Sequence, residues 1–271
     1  MMVEAGDIMI VEDLKKSSGN AKSNEPVIEI KNLKKSFGRQ EVLKNMSLKL
    51  FQGENLVVMG KSGTGKSVLI QCIVGLLSAD GGKIKVFGQD VTALNKKELS
   101  TLRQKIGFLF QSGALYDSMT VQQNLEFPLR RSRKKLTEKQ IEDKINEVLE
   151  HVGLADALYK MPSELSGGMR KRISLARTIV VDPMIMLYDE PTTGLDPVTS
   201  EEISTLILEV QKKYKTSSII ITHDINCARE TANRLVMIDE GVVYKEGKLA
   251  DFEKSKDPLI RSFFKRPDHH N

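Results

Sequence analysis

A glycine-rich segment, "GKSGTGKS" from Gly60 to Ser67, restricts the fold of this chain more than any other feature. The stretch "GENLVVMG" before it predicts a buried strand that ends at Met59, and the residues after it predict a helix that starts near Lys66. Glycines in such a turn let successive backbone N–H groups approach an anion, and the helix dipole adds positive potential. The spacing G-x-x-x-x-G-K-[ST] therefore predicts a phosphate-binding loop between a strand and a helix.

Two side chains of this loop have predicted roles in nucleotide binding. Lys66 is expected to reach the β- and γ-phosphates, and Ser67 is expected to hold Mg²⁺. The loop alone does not distinguish a kinase, a GTPase and an ATPase. The residues predicted to bind the nucleotide in this segment are Gly60, Lys61, Ser62, Gly63, Thr64, Gly65, Lys66, Ser67 and Val68.

Two later apolar segments end in residues suited to hydrolysis. The strand predicted in "IMLYDEP" ends in two carboxylates, which places Asp189 to bind a water of the Mg²⁺ shell and Glu190 to polarise an attacking water. The strand predicted in "SSIIITHD" ends near His223, which is expected to hydrogen-bond the γ-phosphate. We therefore predict Glu190, His223 and Lys66 as the catalytic residues.

The order of predicted elements indicates an α/β fold. "VIEIKNLKKSF" and "VLKNMSLKL" alternate as strands do, so the front third of the chain is expected to be mostly sheet. A helical insertion is expected in the middle, because Thr137 and Gln140 form a capping box and the following apolar residues lie on one helical face. Later strands alternate with a helix, and a final hairpin turns at Asp239 to Gly241. This alternation predicts a parallel sheet covered on both faces.

Composition says less than the motifs do about the binding partners and the location of the protein. A net charge of +5 on 271 residues is compatible with nucleic acid, anionic lipid or neither as a partner. The longest apolar runs fall short of the roughly 18 residues that a membrane-spanning helix needs. Acidic residues within the N-terminal apolar stretch argue against a secretory signal, so a cytosolic location is expected. Cys72 and Cys227 have no metal-like spacing and are expected to be reduced thiols.

A second glycine-rich turn, "LSGGMRKR" from Leu165 to Arg172, raises the question of why the chain carries two anion-binding helix starts. A plain helix cap is one explanation. The other comes from the order of the motifs "GKSGTGKS", "LSGGM", "LYDEP", "GLDP" and "ITHD", which resembles the nucleotide-binding subunits of ABC transporters from about Val27 to Gly247. The resemblance implies a P-loop NTPase of ABC type, with a mainly parallel core, an antiparallel β subdomain and an inserted helical subdomain.

In that family two copies enclose two ATP molecules with Mg²⁺. The resemblance therefore implies that Ser166, Gly167 and Gly168 offer a hydroxyl and backbone N–H groups to the γ-phosphate of the second copy's ATP. The second turn of one subunit then serves the nucleotide of its neighbour.

The resemblance assigns three further positions. Gln111 matches a glutamine that contacts Mg²⁺ and adjoins the transmembrane partner, and Asp196 matches an aspartate that crosses the dimer interface. Phe37 matches the aromatic residue that stacks on adenine, although a phenylalanine between strands also fits a core position. Met169 and Lys61 depart from the common family residues, but neither change removes a phosphate ligand.

The segment "LFQSGALYDSMTVQQNLEFPLR" is similar to the ATPases of Mla-type intermembrane phospholipid transporters. That resemblance implies an integral membrane permease, an MCE-class lipid-binding protein and a peripheral position on the cytoplasmic face of the inner membrane, with no nucleic-acid partner. An ABC importer or exporter for another solute is the main alternative. A soluble ABC ATPase acting on ribosomes or DNA is another, although such proteins usually carry two cassettes or a long coiled coil.

We expect the surface from Gln111 to Pro128 to contact the permease, because its apolar side chains exceed what the helical insertion needs for its own core. The run "RRSRKK" from Arg130 to Lys135 fits either anionic headgroups or a solvated face. The predicted boundaries are a flexible tail over 1–26, a nucleotide-binding domain over 27–250 with its helical subdomain at about 112–181, and an extension over 251–271. The apolar residues of the surface are Leu115, Tyr116, Met119, Val121, Leu125 and Phe127.

Overall fold

The computed structural model describes residues 25–132 and 135–264. Most of the predicted N-terminal tail, part of the basic run from Arg130 to Lys135, and the end of the C-terminal extension with His269 and His270 lie outside these residues. The division into subdomains stays a prediction.

The described residues form ten strands and nine α-helices in a mixed order. The strands are β1 (Pro26–Phe37), β2 (Gln40–Phe51), β3 (Asn55–Met59), β4 (Gly81–Val86), β5 (Gln89–Asp90), β6 (Ile106–Leu109), β7 (Ile185–Asp189), β8 (Ser217–Ile221), β9 (Arg234–Asp239) and β10 (Val242–Gly247). The helices are α1 (Lys66–Ile73), α2 (Lys96–Arg103), α3 (Val121–Arg131), α4 (Glu138–His151), α5 (Gly167–Ile179), α6 (Pro197–Tyr214), α7 (Ile225–Thr231), α8 (Leu249–Glu253) and α9 (Pro258–Phe264).

The strands form two sheets of different type. The larger sheet has the order β10-β9-β3-β8-β7-β6, and its strands are parallel except for β10, which pairs with β9 as an antiparallel hairpin. The smaller sheet, β2-β1-β4-β5, is antiparallel throughout. The predicted fold, a mainly parallel core accompanied by an antiparallel sheet, is confirmed.

The central strand β3 separates two hydrophobic cores. Its alternate side chains point to opposite faces, as the period of a strand requires. Val57 and Met59 join a core with residues of α3, α4, α5 and α6, whereas Leu56 and Val58 join a core with residues of α1 and the antiparallel sheet. Burial on both faces explains why residues 56–59 of β3 are an unbroken apolar run.

The parallel order determines where the polar residues of the motifs lie. The strands β3, β7 and β8 are neighbours that run in the same direction, so their carboxyl ends meet at one edge of the sheet. Gly60 follows β3, Asp189 ends β7 and His223 follows β8. This edge therefore gathers three motifs that are far apart in the sequence.

Local predictions agree with the structure in most places. Thr137 caps α4 and forms a capping box with Gln140, and the final hairpin turns where it was expected. The front third is mostly sheet, as predicted, but the helix α2 that follows it was missed. Its signal is another capping box, in which Asn95 caps the helix and Glu98 bonds back to the Asn95 N–H.

Two further expectations concern the thiols and the membrane. Cys72 and Cys227 are free and buried, and burial raises the pKa of Cys72 to about 11 and that of Cys227 to about 12. Among the described residues, no helix is long and apolar enough to cross a membrane.

Candidate nucleotide-binding site

The first glycine-rich turn, residues 60–67, is packed against its own chain at Gly60 and Gly65. A Cβ atom on Gly60 would collide with the carbonyl oxygen of Ile238 in β9. Gly65 has φ +96°, and a Cβ there would lie 2.7 Å from Leu43 Cδ2 in β2. Glycine is therefore required at both positions, by close packing at one and by packing and backbone conformation at the other.

The Lys66 side chain lies across the inside of this turn. Its Nζ donates hydrogen bonds to the carbonyl oxygens of Gly60 and Lys61, each at 2.8 Å. Burial lowers the pKa of Lys66, and the negative charges of Glu190 and Asp189 partly oppose that effect. The hydrogen bonds described for this cation are to neutral carbonyl groups, so the turn suits a phosphate.

The start of α1 adds to this environment. Gly65 occupies the N-cap position, no described side chain caps the helix, and its first turn carries no acidic residue. The free N–H groups of this turn therefore remain available to an anion. Elsewhere in the loop, the Thr64 hydroxyl donates to the Lys61 carbonyl oxygen at 2.9 Å, Ser62 and Gly63 are exposed, and Val68 packs partly against the core.

Ser67 and Asp189 meet across the edge of the parallel sheet. The Ser67 hydroxyl donates to Asp189 Oδ1 at 3.0 Å. Burial raises the pKa of Asp189, while this hydrogen bond opposes the rise. A hydroxyl and a carboxylate are oxygen ligands of the type that Mg²⁺ prefers, so the pair fits the predicted metal position.

Glu190 and His223 form the second polar contact at this edge. His223 Nδ1 lies 2.7 Å from Glu190 Oε2, and the Thr193 hydroxyl donates to the same oxygen at 3.1 Å. Glu190 has φ +50°, a left-handed conformation that is uncommon outside glycine, and its N–H donates to the Ile221 carbonyl oxygen at 2.9 Å. Such strain is often found where a side chain must be aimed at a reacting group.

The second glycine-rich turn, residues 166–168, has a different environment. Ser166 caps α5 by accepting a hydrogen bond from the Met169 N–H at 3.2 Å. A Cβ on Gly167 would have only Leu195 Cδ2 nearby, at 3.8 Å, among the described atoms. A Cβ on Gly168 would lie 2.6 Å from Thr199 Cγ2. The outer glycine therefore faces open space and the inner one packs on the start of α6.

Asp196 is the N-cap of α6, beside this turn. Its side chain accepts hydrogen bonds from the Thr199 N–H at 3.0 Å and from the Thr199 hydroxyl at 2.6 Å. The Thr199 hydrogen bonds lower the pKa of Asp196. Thr199 thus lies next to both Asp196, which it hydrogen-bonds, and Gly168, against which its methyl group packs.

Gln111 and Phe37 lie at the ends of strands. Gln111 is exposed, two residues beyond β6, and its carbonyl oxygen accepts a hydrogen bond from Lys171 Nζ at 2.7 Å. Phe37 ends β1 and is 47% exposed, with Lys35 Nζ 5.4 Å from the ring centroid. This exposure argues against a core role for the ring, and its contact with adenine stays a prediction.

The apolar segment after Gln111 is partly core and partly surface. Val121 and Leu125 are buried, whereas Tyr116 is 41% exposed. The Tyr116 ring makes an edge contact with the partly buried Phe127 at 5.1 Å, and the Arg177 guanidinium lies 4.7 Å from the Tyr116 ring centroid. An aromatic pair next to a cation is thus available at the surface.

Sequence reasoning missed two residues that support the site. Thr193 holds Glu190, and its position three residues after the carboxylate was a usable signal. Lys171 holds Gln111, but the two are 60 residues apart and no local pattern links them.

Comparisons with known proteins place this arrangement in context. Residues 43–193 match the family model described as "ABC transporter". A probable ribonucleotide transport ATP-binding protein of Mycobacterium leprae is 41% identical, with 87% of this chain and 68% of that protein covered. The chloroplastic protein TRIGALACTOSYLDIACYLGLYCEROL 3 of Arabidopsis thaliana is 37% identical, with 92% and 76% covered.

Two further matches are a protein named for another substrate and a protein of solved structure. A methionine import ATP-binding protein of Carboxydothermus hydrogenoformans is 40% identical, with 88% of this chain and 71% of that protein covered. A dimeric ATP-binding cassette solved after hydrolysis, with ADP and Pi bound, superposes with a TM-score of 0.75 at 31% identity and covers 82% of this chain and 98% of its own.

Proposed function

Since this chain belongs to the ABC transporter family as an ATP-binding subunit, we propose that two copies enclose two MgATP molecules and drive a permease that moves phospholipid. The protein is an ATPase, and its cofactors are ATP and Mg²⁺. Dimeric cassettes among the structural relatives support the association of two copies.

The observation that carries the proposed mechanism is the meeting of Asp189 and Glu190 with Ser67 and His223 at one sheet edge. In this proposal, Lys66 balances the charge of the β- and γ-phosphates, and Ser67 and Asp189 hold the metal ion directly and through water. Bound Mg²⁺ supplies Lewis-acid stabilisation of the phosphate oxygens. Glu190 orients and polarises the attacking water, and His223 holds the Glu190 carboxylate while its remaining ring nitrogen faces the γ-phosphate.

We assign the second turn, residues 166–168, to the nucleotide of the other copy. Support comes from its openness, because Gly167 leaves backbone N–H groups accessible without any packing need inside the subunit. Asp196 and Gln111 take the positions at the dimer interface and beside Mg²⁺ that the family resemblance implies.

Glu190→Gln tests this assignment, because the amide keeps the shape of the side chain and loses its basicity. The variant is expected to bind MgATP, to lose turnover and to accumulate as an ATP-bound dimer. Light scattering with MgATP, with MgADP and without nucleotide measures the mass. A Glu190→Gln protein that stays monomeric at saturating MgATP, both alone and with its permease, contradicts the assignment.

We place the permease contact at the surface around Tyr116 and Phe127. The exposed aromatic pair and Arg177 provide an amphipathic patch of the kind that marks a partner site, and this patch follows Gln111 directly along the chain. Closure on ATP at Gln111 is expected to move the patch and to transmit that motion.

Tyr116→Asp tests the contact, because it places a charge in the patch. The variant is expected to lose assembly with the permease and to keep nucleotide binding by the isolated subunit. Met184→Asp is the control, since Met184 is 50% exposed but precedes β7 at the opposite edge of the sheet. Normal co-purification of Tyr116→Asp with the permease shows that the contact is elsewhere.

Phospholipid is our choice of substrate, and another solute is the alternative. The Arabidopsis relative bears the name of a galactolipid, whereas other relatives are named for ribonucleotide transport and methionine import. We further propose an MCE-class lipid-binding protein as a third component and a peripheral position on the cytoplasmic face of the inner membrane. Reconstitution with the permease tests the substrate: ATP-dependent transport of a soluble solute with no transfer of labelled phospholipid refutes the lipid assignment.

A further inference from the structure

The helix α5 contacts the loop after β6 along one face. Lys171, Ser174 and Arg177 are three residues apart, so their side chains lie along one side of the helix. All three contact residues 111–114, the loop that carries Gln111. The same helix starts at the second glycine-rich turn, so one rigid element connects two parts of the proposed machinery.

Lys171 makes the strongest of these contacts. It is buried, and its Nζ donates to the Gln111 carbonyl oxygen at 2.7 Å. Burial lowers its pKa, while the charges of Asp189 and Glu190 oppose this effect. Lys171 is therefore a buried donor whose side chain reaches the loop at Gln111.

The other two residues hold the same loop in a fixed shape. Gly113 has φ +80°, and a Cβ there would lie 2.5 Å from the Ser174 hydroxyl oxygen. The Arg177 guanidinium donates to the Ala114 carbonyl oxygen at 2.8 Å. Because the loop turns tightly and contacts α5 at three successive points, displacement of the helix must displace the loop.

We propose that Lys171 is a positioning residue that locks the Gln111 loop of one subunit to the helix whose first turn binds the other subunit's nucleotide. Arrival of the second nucleotide at residues 166–168 then places Gln111 in the first site, which couples the two sites through α5. This inference rests on the proposed function, because it requires the second turn to serve a second copy.

A double-mutant cycle tests the proposal. Lys171→Met keeps the length and apolar body of the side chain and removes the donor, and Gln111→Ala removes the side chain that Lys171 is proposed to position. We expect Lys171→Met to lower kcat on the order of tenfold while the affinity of the isolated subunit for MgATP stays unchanged. The double variant is expected to be no slower than Gln111→Ala, because both substitutions remove the same function.

Two controls separate positioning from stability. Arg172→Met removes the neighbouring cation. Because Arg172 forms its ion pair with Glu202 and not with the loop, this variant is expected to keep kcat near that of the wild type. Lys171→Arg restores a donor and is expected to recover part of kcat. Thermal unfolding verifies that each variant is folded, and if Lys171→Met unfolds, Lys171→Gln replaces it in the cycle.

The outcomes distinguish this inference from the proposed function. If the fold-decreases in kcat of the two single variants multiply in the double variant, the proposed role of Lys171 is overturned. An unchanged kcat in Lys171→Met overturns it as well. Failure of Glu190→Gln to dimerise with Lys171 intact overturns the proposed function itself. A non-additive cycle with recovery by Lys171→Arg supports the inference.

Discussion

The two glycine-rich turns of this molecule use the same residue type in opposite surroundings. The first turn, residues 60–67, lies between β2 and β9, and added side-chain atoms at Gly60 or Gly65 collide with the chain itself. The second turn, residues 166–168, starts α5 at the surface, and Gly167 faces open space. Glycine is thus explained by internal packing at Gly60 and Gly65 of the first turn, but not at Gly167 of the second.

This difference bears on what each turn binds. The first turn contains its own cation, Lys66, and adjoins the residues of the same chain that we propose for metal binding and water activation. The second has a capping serine and its own cation, Arg170, which donates to the Leu165 carbonyl oxygen, but the residues proposed for metal binding and water activation are not among its described contacts. A turn that is open without any need of its own subunit fits a ligand held by another subunit. Substitutions should therefore affect the two turns differently.

Lys66→Ala is expected to have the largest effect, since it removes the charge that balances the β- and γ-phosphates. The ATPase rate should fall on the order of 10²-fold or more, as when one preorganised charge-stabilising group is removed elsewhere. Lys97→Ala is the matched control, because Lys97 is an exposed lysine of α2 and lies outside the predicted nucleotide site. Steady-state hydrolysis measures both. A Lys66→Ala rate within tenfold of that of the wild type argues against the assignment.

Gly65→Ala and Gly167→Ala should separate folding from function. The first substitution forces a methyl group against Leu43 in a left-handed backbone, so the free energy of unfolding is expected to fall by about 1–3 kcal/mol. The second has room and is expected to change stability by less than about 0.5 kcal/mol. Urea unfolding without nucleotide measures both values. Equal losses of stability contradict the distinction between an enclosed turn and an open one.

Gly167→Ala is nevertheless expected to weaken ATP-driven dimerisation in the Glu190→Gln background. The added methyl group lies where the second copy's phosphate is proposed to approach. Light scattering across a range of MgATP concentrations measures the change. Unaltered dimerisation means that residues 166–168 do not approach the other copy's nucleotide closely.

Gly168→Ala refines the comparison, because its expected effect on stability lies between those of Gly65→Ala and Gly167→Ala. Its methyl group would contact the Thr199 side chain, which can shift more easily than backbone, so we expect a loss of about 1 kcal/mol, at the lower end for overpacking. Thr199→Ser removes the contacting methyl group and keeps the hydroxyl that bonds Asp196. The double variant should regain the stability of Thr199→Ser alone. Additive losses show that Thr199 is not the cause.

Local sequence patterns predicted the structural features that depend on a few neighbouring residues. The phosphate loop, the α4 capping box and the final hairpin each depend on residues that are close together in the sequence. These three features were therefore predicted correctly. The missed helix α2 belongs to the same class, because Asn95 and Glu98 form the same kind of box. The sequence therefore contained the signal for α2, although the helix was not predicted from it.

Contacts between distant segments were beyond such reasoning. Nothing near Gly65 indicates Leu43, and nothing near Lys171 indicates Gln111, because packing of separate elements decides both pairs. Periodicity assigned Val121 and Leu125 to an apolar segment but did not tell which side chains face the core and which, like Tyr116, face outward. The roles of Phe37, Gln111, Asp196 and residues 166–168 come from the family resemblance, and the roles of all site residues stay proposals.

The position of the first turn between β2 and β9 has a consequence for biosynthesis. The turn contacts Leu43 on one side and Ile238 on the other, and the Lys44 N–H bonds the Gly241 carbonyl oxygen where the two sheets meet. These contacts have high sequence separation, which makes them late and slow to form. A growing chain on the ribosome contains the whole phosphate-loop motif long before β9 has been translated. The turn is therefore packed on both sides only in chains whose synthesis has passed Ile238.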